Sequence, residues 1–360
     1  MVERDHGGNV SEIARMYRIG EESIIDFSAN INPFGYPPGL KEAVMSDFES
    51  ILNYPDIDSY ELAAALSSYH GIPRQSIVVG NGSTEFMYLL PTVFKPETAL
   101  IVSPAFSEYE KGLRIAGADI SYFAADRDKG FSLDVDGLCA RIHEGYDMVY
   151  LCNPANPTGI LTEKDDLLRI IETAGLTGAI CIIDEAFIDF VEEASVKEET
   201  GRFDSLIVMR SMTKFFGIPG LRVGYLIAEP SLIETIAKSK TPWTVNSLVQ
   251  RAAVTALEAS DYIEASRQVV RSEREYLKEA LGALPGLTVY DGAANFLFVC
   301  IDERCAVGST ALRDSLRRDG LLIRDCSNFH GLNDRYFRVA VKQREQNEIL
   351  VKRLREIVKW

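Results

Sequence analysis

Between residues 76 and 227 the sequence alternates seven short β-branched runs with longer segments of helical periodicity, and this alternation leaves few folds open. The runs fall at 76–79, 99–102, 120–123, 148–152, 179–183, 206–209 and 223–227. Helical patterns such as 84–94 and 164–173 lie between them. Crossovers of that length suit parallel strands, so the pattern predicts an α/β fold with one seven-stranded, mostly parallel sheet. A long helix over 265–284 leads into a smaller α+β domain with strands at 287–290, 296–300, 321–324 and 336–340 and a final helix at 344–358. The first 45 or so residues, with Asn30, Asn32, Pro33, Pro37 and Pro38, read as an irregular arm packed on that smaller domain. The expected division is an arm at 1–45, a large domain at 46–260 and a small domain at 261–360.

With 46% of its 360 residues hydrophobic, the chain can fill a core in both domains. Its six cysteines (Cys139, Cys152, Cys181, Cys300, Cys305, Cys326) lie mostly in strand-like runs, with no C-x-x-C pair and no histidine cluster at metal spacing. Reduced thiols and no metal site are expected. The formal charge of −15 repels phosphate backbones, which argues against nucleic acid and anionic membrane surfaces as partners. Apolar stretches are too short to span a bilayer, and residues 1–9 are polar where a signal peptide would be apolar. A cytoplasmic protein is expected.

Several runs end on residues that carry chemistry. The run at 206–209 leads into Arg210-Ser-Met-Thr-Lys214 and then Phe215-Phe-Gly-Ile-Pro-Gly-Leu-Arg222-Val-Gly-Tyr225. A lysine beside a hydroxyl is usually a solvated surface residue, but here Gly217, Gly220 and Gly224 permit close backbone approach, and the flanking phenylalanines would lower the amine pKa by desolvation. The run at 179–183 ends on Asp184, at the sheet edge where ligands of α/β folds bind, although a helix N-cap is the plain alternative. The run at 148–152 ends on Asn153-Pro-Ala-Asn156-Pro, otherwise an ordinary turn. Gly80-Asn-Gly-Ser83-Thr84 opens a helix and offers backbone N–H groups to a phosphate, without the lysine of a nucleotide-binding P-loop. Ser103-Pro-Ala-Phe106 places an aromatic ring at another strand end.

Together these groups match what pyridoxal 5'-phosphate (PLP) asks of a protein. Lys214 would join the cofactor as a Schiff base, and Asp184 would keep its pyridine nitrogen protonated. Asn156 would bond the phenolic oxygen, and Phe106 would stack on the ring. Ser83, Thr84, Ser211 and Arg222 would take the phosphate. Each motif alone is weak, but their convergence on one sheet edge points to a PLP enzyme.

On these motifs the chain resembles the fold-type I PLP enzymes, and within them the branch of histidinol-phosphate aminotransferases and threonine-phosphate decarboxylases, from about His6 to the C-terminus. The segments His6-Gly7-Gly-Asn9, Asp26-Phe-Ser-Ala-Asn30-Ile-Asn-Pro33, Asp184-Glu-Ala-Phe187-Ile-Asp-Phe190 and Pro242-Trp-Thr-Val-Asn246 look more like the decarboxylases. Phe187 stands where the aminotransferases usually carry a tyrosine. The resemblance implies that Tyr225 belongs to a PLP-site motif, that Tyr54 reaches the cofactor phosphate of a partner subunit in a homodimer, and that His6, Gly7, Asn30 and Asn156 touch substrate. It also implies the reaction: decarboxylation of L-threonine O-3-phosphate to (R)-1-amino-2-propanol O-2-phosphate, for the nucleotide loop of cobalamin.

A small phosphorylated amino acid needs cationic anchors, and Arg324 and Arg338 in the smaller domain suit that task. Arg338 sits within the apolar run Tyr336-Phe-Arg-Val-Ala340, where an unpaired charge is costly, so either a ligand anion or an acidic side chain should face it. Histidinol-phosphate aminotransferase is the nearest alternative, and a PLP-fold protein without catalysis is a second.

Overall fold

The computed structural model describes residues 7–358. A short strand β1 (Ile25–Asp26) precedes seven longer ones: β2 (Ile77–Gly80), β3 (Thr98–Ser103), β4 (Asp119–Ala124), β5 (Met148–Cys152), β6 (Ile180–Asp184), β7 (Leu206–Ser211) and β8 (Gly224–Ala228). These seven form one sheet in the order β2-β8-β7-β6-β5-β3-β4. All seven β-branched runs are strands of it. Strand β8 alone runs antiparallel to its neighbours β2 and β7. The segment joining β7 to β8 holds only a one-turn helix, Met212–Phe215, too short for a crossover, so the chain turns back instead.

Both faces of this sheet are covered, which is why β5 and β7 are buried at every position. Alternation along the strands divides the core in two. Leu151, Ile183 and Val208 pack on one face, and Tyr150, Ile182 and Met209 on the other. The same period decides where the strand ends point. Asp184 and Ser211 continue the series of Ile182 and Met209, whereas Arg210 continues that of Val208.

The 23-residue helix Ser260–Gly282 leads to the smaller domain. There β9 (Leu287–Val289), β10 (Phe296–Ile301), β11 (Leu321–Leu322), β12 (Arg324–Asp325) and β13 (Tyr336–Ala340) follow. An antiparallel sheet in the order β12-β13-β10-β9 packs its inner face on a cluster that includes Leu277, Phe337 and Leu350. Two sequence expectations need correction here. The run at 321–324 is not one strand: it breaks at Ile323, so that β11 pairs in parallel with β1 while β12 joins the larger sheet. Nor is the start of the chain irregular throughout: Val10–Tyr17 and Leu40–Ser46 are helices, while 27–39 hold neither helix nor strand. The eight-residue Val10–Tyr17 is too short to hold on propensity, and it stands on the burial of Ile13 and Ala14. Beyond β1, Phe27 is fully buried and its backbone bonds to Leu322 and Ala340.

All six cysteines are free, and no helix among the described residues is long and apolar enough to cross a membrane.

Candidate active site

A cavity opens at the carboxyl ends of β2, β3, β5, β6 and β7, and its opposite wall comes from the smaller domain and the segment around Asn30. Lys214 lines it from the one-turn helix after β7, and the Lys214 carbonyl accepts a bond from the Asn32 N–H at 3.0 Å. Desolvation, helped by the nearby Arg222 and Arg338 charges, lowers the Lys214 amine to about 8, while Asp184 works in the opposite sense.

Asp184 ends β6 inside the same cavity and is 3% exposed. It caps no helix: its Oδ1 accepts from the Ala186 N–H at 3.0 Å, and the next helical turn, Ile188–Ala194, has Phe187 at its N-cap. Its other oxygen accepts from the Tyr109 hydroxyl. Burial pushes this carboxyl up to about 6, against the pull of the Tyr109 and Ala186 hydrogen bonds. Among the described residues no cation pairs with it, which leaves a buried carboxylate suited to a protonated ring nitrogen.

At the β2 and β8 edge, the helix Ser83–Phe94 presents an N-terminus that no side chain caps. A Cβ on Gly82 would meet Arg222 Nη2 at 2.7 Å, and one on Gly224 would meet the Ser83 nitrogen at 2.5 Å. Two glycines thus let the N–H groups of the helix, the Arg222 guanidinium and the Ser211 hydroxyl share one end of the cavity. Ser211 Oγ lies 2.9 Å from Thr213 Oγ1, and Arg222 Nη1 donates to the Pro219 carbonyl at 3.1 Å. This is a cradle for a phosphate.

The other end is built around two arginines. Arg338, on β13 and 7% exposed, donates to Asn156 Oδ1 and to the Ser28 carbonyl, and its Nε has no partner. No carboxylate lies in ion-pair range of it among the described residues, so the acidic-side-chain alternative does not hold. Desolvation and the adjacent Arg324 lower its pKa to about 10. Arg324 donates to the Asp325 carbonyl at 2.5 Å and to Asn328 Oδ1 at 2.8 Å, with its guanidinium 4.9 Å from the centre of the Phe329 ring. Asn30 faces the cavity with a buried Oδ1 that has no partner. Because the Asn156 carbonyl accepts from Arg338, its NH2 group is left to donate.

The structure therefore brings together Ser83, Thr84, Phe106, Asn156, Asp184, Ser211, Lys214, Arg222, Arg324, Arg338, Asn30 and Gly7 in one cavity. His6 lies outside the described residues. Tyr54 is 82% exposed, its ring tilted against Trp243 away from the cavity. Tyr225 is not in the lining either: it points to the opposite sheet face, with its hydroxyl 2.6 Å from His70 Nε2. Phe187 lines the cavity edge-on to Phe296, at a ring centroid separation of 5.0 Å. The sequence reading assigned nothing to Tyr109, Tyr122 or His330. Only the spacing of Tyr109, one helical turn beyond Phe106, hinted at a shared site.

An uncapped helix start with two close-approach glycines, a lysine of lowered pKa, a buried carboxylate without a cation and an arginine without an anion fit PLP and a substrate anion. Comparison with known proteins agrees. Residues 22–354 match the family "Aminotransferase class I and II". The chain is 37% identical to a threonine-phosphate decarboxylase of Salmonella typhimurium over 98% of its length and 96% of that protein. It is 32% identical to a histidinol-phosphate aminotransferase of Methanococcus aeolicus, covering 98% and 95%. The crystal structure of the histidinol-phosphate aminotransferase from Clostridium acetobutylicum superposes with a TM-score of 0.86 at 30% identity, covering 92% of this chain and 98% of that one.

Proposed function

The chain belongs to the class I and II aminotransferase family of PLP-dependent enzymes, and on that premise we propose that it decarboxylates L-threonine O-3-phosphate to (R)-1-amino-2-propanol O-2-phosphate and carbon dioxide. By the same resemblance the product would serve the nucleotide loop of cobalamin. One observation carries the reading: Arg324 and Arg338 share the cavity with Lys214, and the buried Arg338 has no carboxylate of its own. A substrate with a phosphate and a carboxylate supplies an anion for Arg338 and a second for the neighbouring Arg324 to share.

Bound PLP bonds to an amine through its aldehyde and draws into its ring the electron pair of a bond broken at the substrate α-carbon. The protein decides which bond that is by how it anchors the substrate. Arg324 and Arg338 would hold the anionic end at two points and so restrict rotation about the α-carbon, which lets one bond stand perpendicular to the ring. Asp184 would hold the proton on the ring nitrogen, with Tyr109 and the Ala186 N–H fixing its two oxygens. Lys214, lowered to about 8, would hold PLP through its neutral amine, and once displaced by the substrate amine and carrying that amine's proton it could supply the proton to the α-carbon. Phe187 and Phe296 keep water from one side. Phe187 also offers no hydroxyl at a position where, by the family resemblance, aminotransferases carry one.

A second reading, histidinol-phosphate aminotransferase, draws on the 32% identical relative and the TM-score of 0.86. PLP-loaded enzyme mixed with L-threonine O-3-phosphate, without any oxo acid, separates the two. Catalytic release of carbon dioxide with accumulation of aminopropanol phosphate supports decarboxylation. No carbon dioxide, together with amino transfer from L-histidinol phosphate to 2-oxoglutarate, overturns it in favour of the aminotransferase. Neither activity would leave a binding protein.

A further inference from the structure

At the mouth of the cavity, the His330 ring lies flat on the Tyr122 ring, with centroids 3.7 Å apart and planes 8° from parallel. Both residues line the cavity, and they come from opposite walls. Tyr122 lies on β4, at the edge of the large sheet, whereas His330 belongs to the loop after β12 in the smaller domain. The Tyr122 side is firmly held. Its hydroxyl is hydrogen-bonded to Glu110, and Glu110 also accepts from Arg114 Nε at 2.7 Å. The His330 side bears on the anion end, because the same short loop carries two side chains that contact Arg324. Asn328 Oδ1 accepts from Arg324 Nη2 at 2.8 Å, and the Phe329 ring lies beneath its guanidinium, two of several contacts that orient it.

We propose that His330 is a positioning residue for Arg324, acting through its stack on Tyr122 to tie the loop 326–332 to the large domain and so set where Arg324 meets the anionic end of the substrate. Arg324 has several rotatable bonds, and its guanidinium is aimed by contacts within a loop that is itself exposed at Asn328 and His330. Cys326, Phe329 and Leu332 root that loop in an apolar cluster that also holds Phe131 and Ala125 of the large domain, but its exposed tip at the mouth is held there by the stack. The aromatic stack supplies an attachment to the wall that also carries Phe106 and Asp184, so both ends of the substrate are held to one frame. Glu110 belongs to the same design. Paired with Arg114, it steadies Tyr122 instead of repelling the substrate anion.

The inference rests on the proposal that Arg324 binds substrate, and the test keeps the two apart. KM and kcat are measured with O-phospho-L-threonine, or with L-histidinol phosphate if the wild type turns over only that compound. The variants are His330→Ala, His330→Phe, Arg324→Ala and the double His330→Ala/Arg324→Ala. An aromatic pair of typical strength predicts that His330→Ala raises KM about threefold to tenfold, with kcat and the cofactor absorbance spectrum unchanged. His330→Phe, which keeps a flat ring, should recover most of the affinity. In the Arg324→Ala background, His330→Ala should have no further effect. If Arg324→Ala raises KM while His330→Ala does not, or if His330→Ala acts equally in both backgrounds, the positioning role is wrong and Arg324 stands. An unchanged KM in Arg324→Ala removes the substrate role of Arg324 and this inference with it.

Discussion

The Tyr109 hydroxyl donates to Asp184 Oδ2 from a fully buried ring that stacks on Tyr150 at a centroid distance of 5.1 Å. This bond favours the ionised carboxylate, in opposition to the burial that pushes Asp184 up to about 6. Tyr109→Phe removes the donor and little volume. The carboxyl pKa then rises, so Asp184 takes up a proton at a higher pH and its hold on the ring nitrogen fails earlier as pH falls. A hydrogen bond to a charged group is worth about 1.5–3 kcal/mol, so the acid limb of the kcat/KM profile is expected to move up by about one pH unit or more. An acid limb at the wild-type position would show that Tyr109 is only packing.

Lys214 sets the other side of the pH dependence. Its amine is lowered to about 8, so it is charged below that value and neutral above it, and only the neutral amine can attack an aldehyde. Reconstitution of apoenzyme with PLP should therefore speed up as pH rises through about 8 and level off beyond it, as followed by cofactor absorbance. A rate that keeps rising toward pH 10 would mean that the cavity does not depress this lysine. Lys214→Ala should bind PLP without covalent attachment and lose turnover.

The chemistry of the cavity is largely readable from the sequence because its residues follow strands. Asp184, Ser211 and Asn156 each end or follow a β-branched run, and the ends of parallel strands meet at one sheet edge. Tyr109 lies on a helix and is one of fifteen tyrosines, so nothing local distinguishes it before that helix packs along β3 and β4 and carries its hydroxyl to Asp184. Tyr225 shows the opposite: it follows Lys214 in the same motif, but on β8 it stands across from Arg210 and so shares the face of Arg210, away from the cavity. The stack of His330 on Tyr122 joins two domains and leaves no mark on either stretch of sequence. The break at Ile323 is equally silent, since an apolar run looks the same whether it serves one sheet or two.

Behind the cavity, Arg210 is fully buried on β7 and donates to Glu185 Oε2 at 2.8 Å and to Glu192 Oε2 at 2.6 Å, with Asp189 at 3.5 Å. These groups neighbour Asp184 and Ser211 in the chain but face away from the cavity. Arg210→Met would leave the buried Glu185 and Asp189 without this ion-pair partner, while Glu192 keeps Lys197. Breaking a buried pair from one side typically costs about 3–5 kcal/mol, so urea unfolding of the holoenzyme should show a loss of that size. A loss under about 1 kcal/mol would mean that the carboxylates escape by taking up protons or water.

Tyr54 offers the test of assembly. It is 82% exposed and lies tilted against Trp243, with Leu52 at 77% and Met45 at 61%, an apolar concentration that a solvent-facing surface rarely carries. Tyr54 lines no part of its own cavity, so its hydroxyl can serve a cofactor only across a subunit boundary, as the proposed homodimer requires. Leu52→Asp should then shift sedimentation toward monomer and weaken PLP binding together. Tyr54→Phe should leave the dimer intact and raise the Kd for PLP about threefold to tenfold, the equivalent of one hydrogen bond of roughly 0.5–1.5 kcal/mol. Wild-type PLP affinity in Tyr54→Phe would confine this residue to the interface, and a Leu52→Asp protein that stays monomeric with full activity would rule out shared sites altogether.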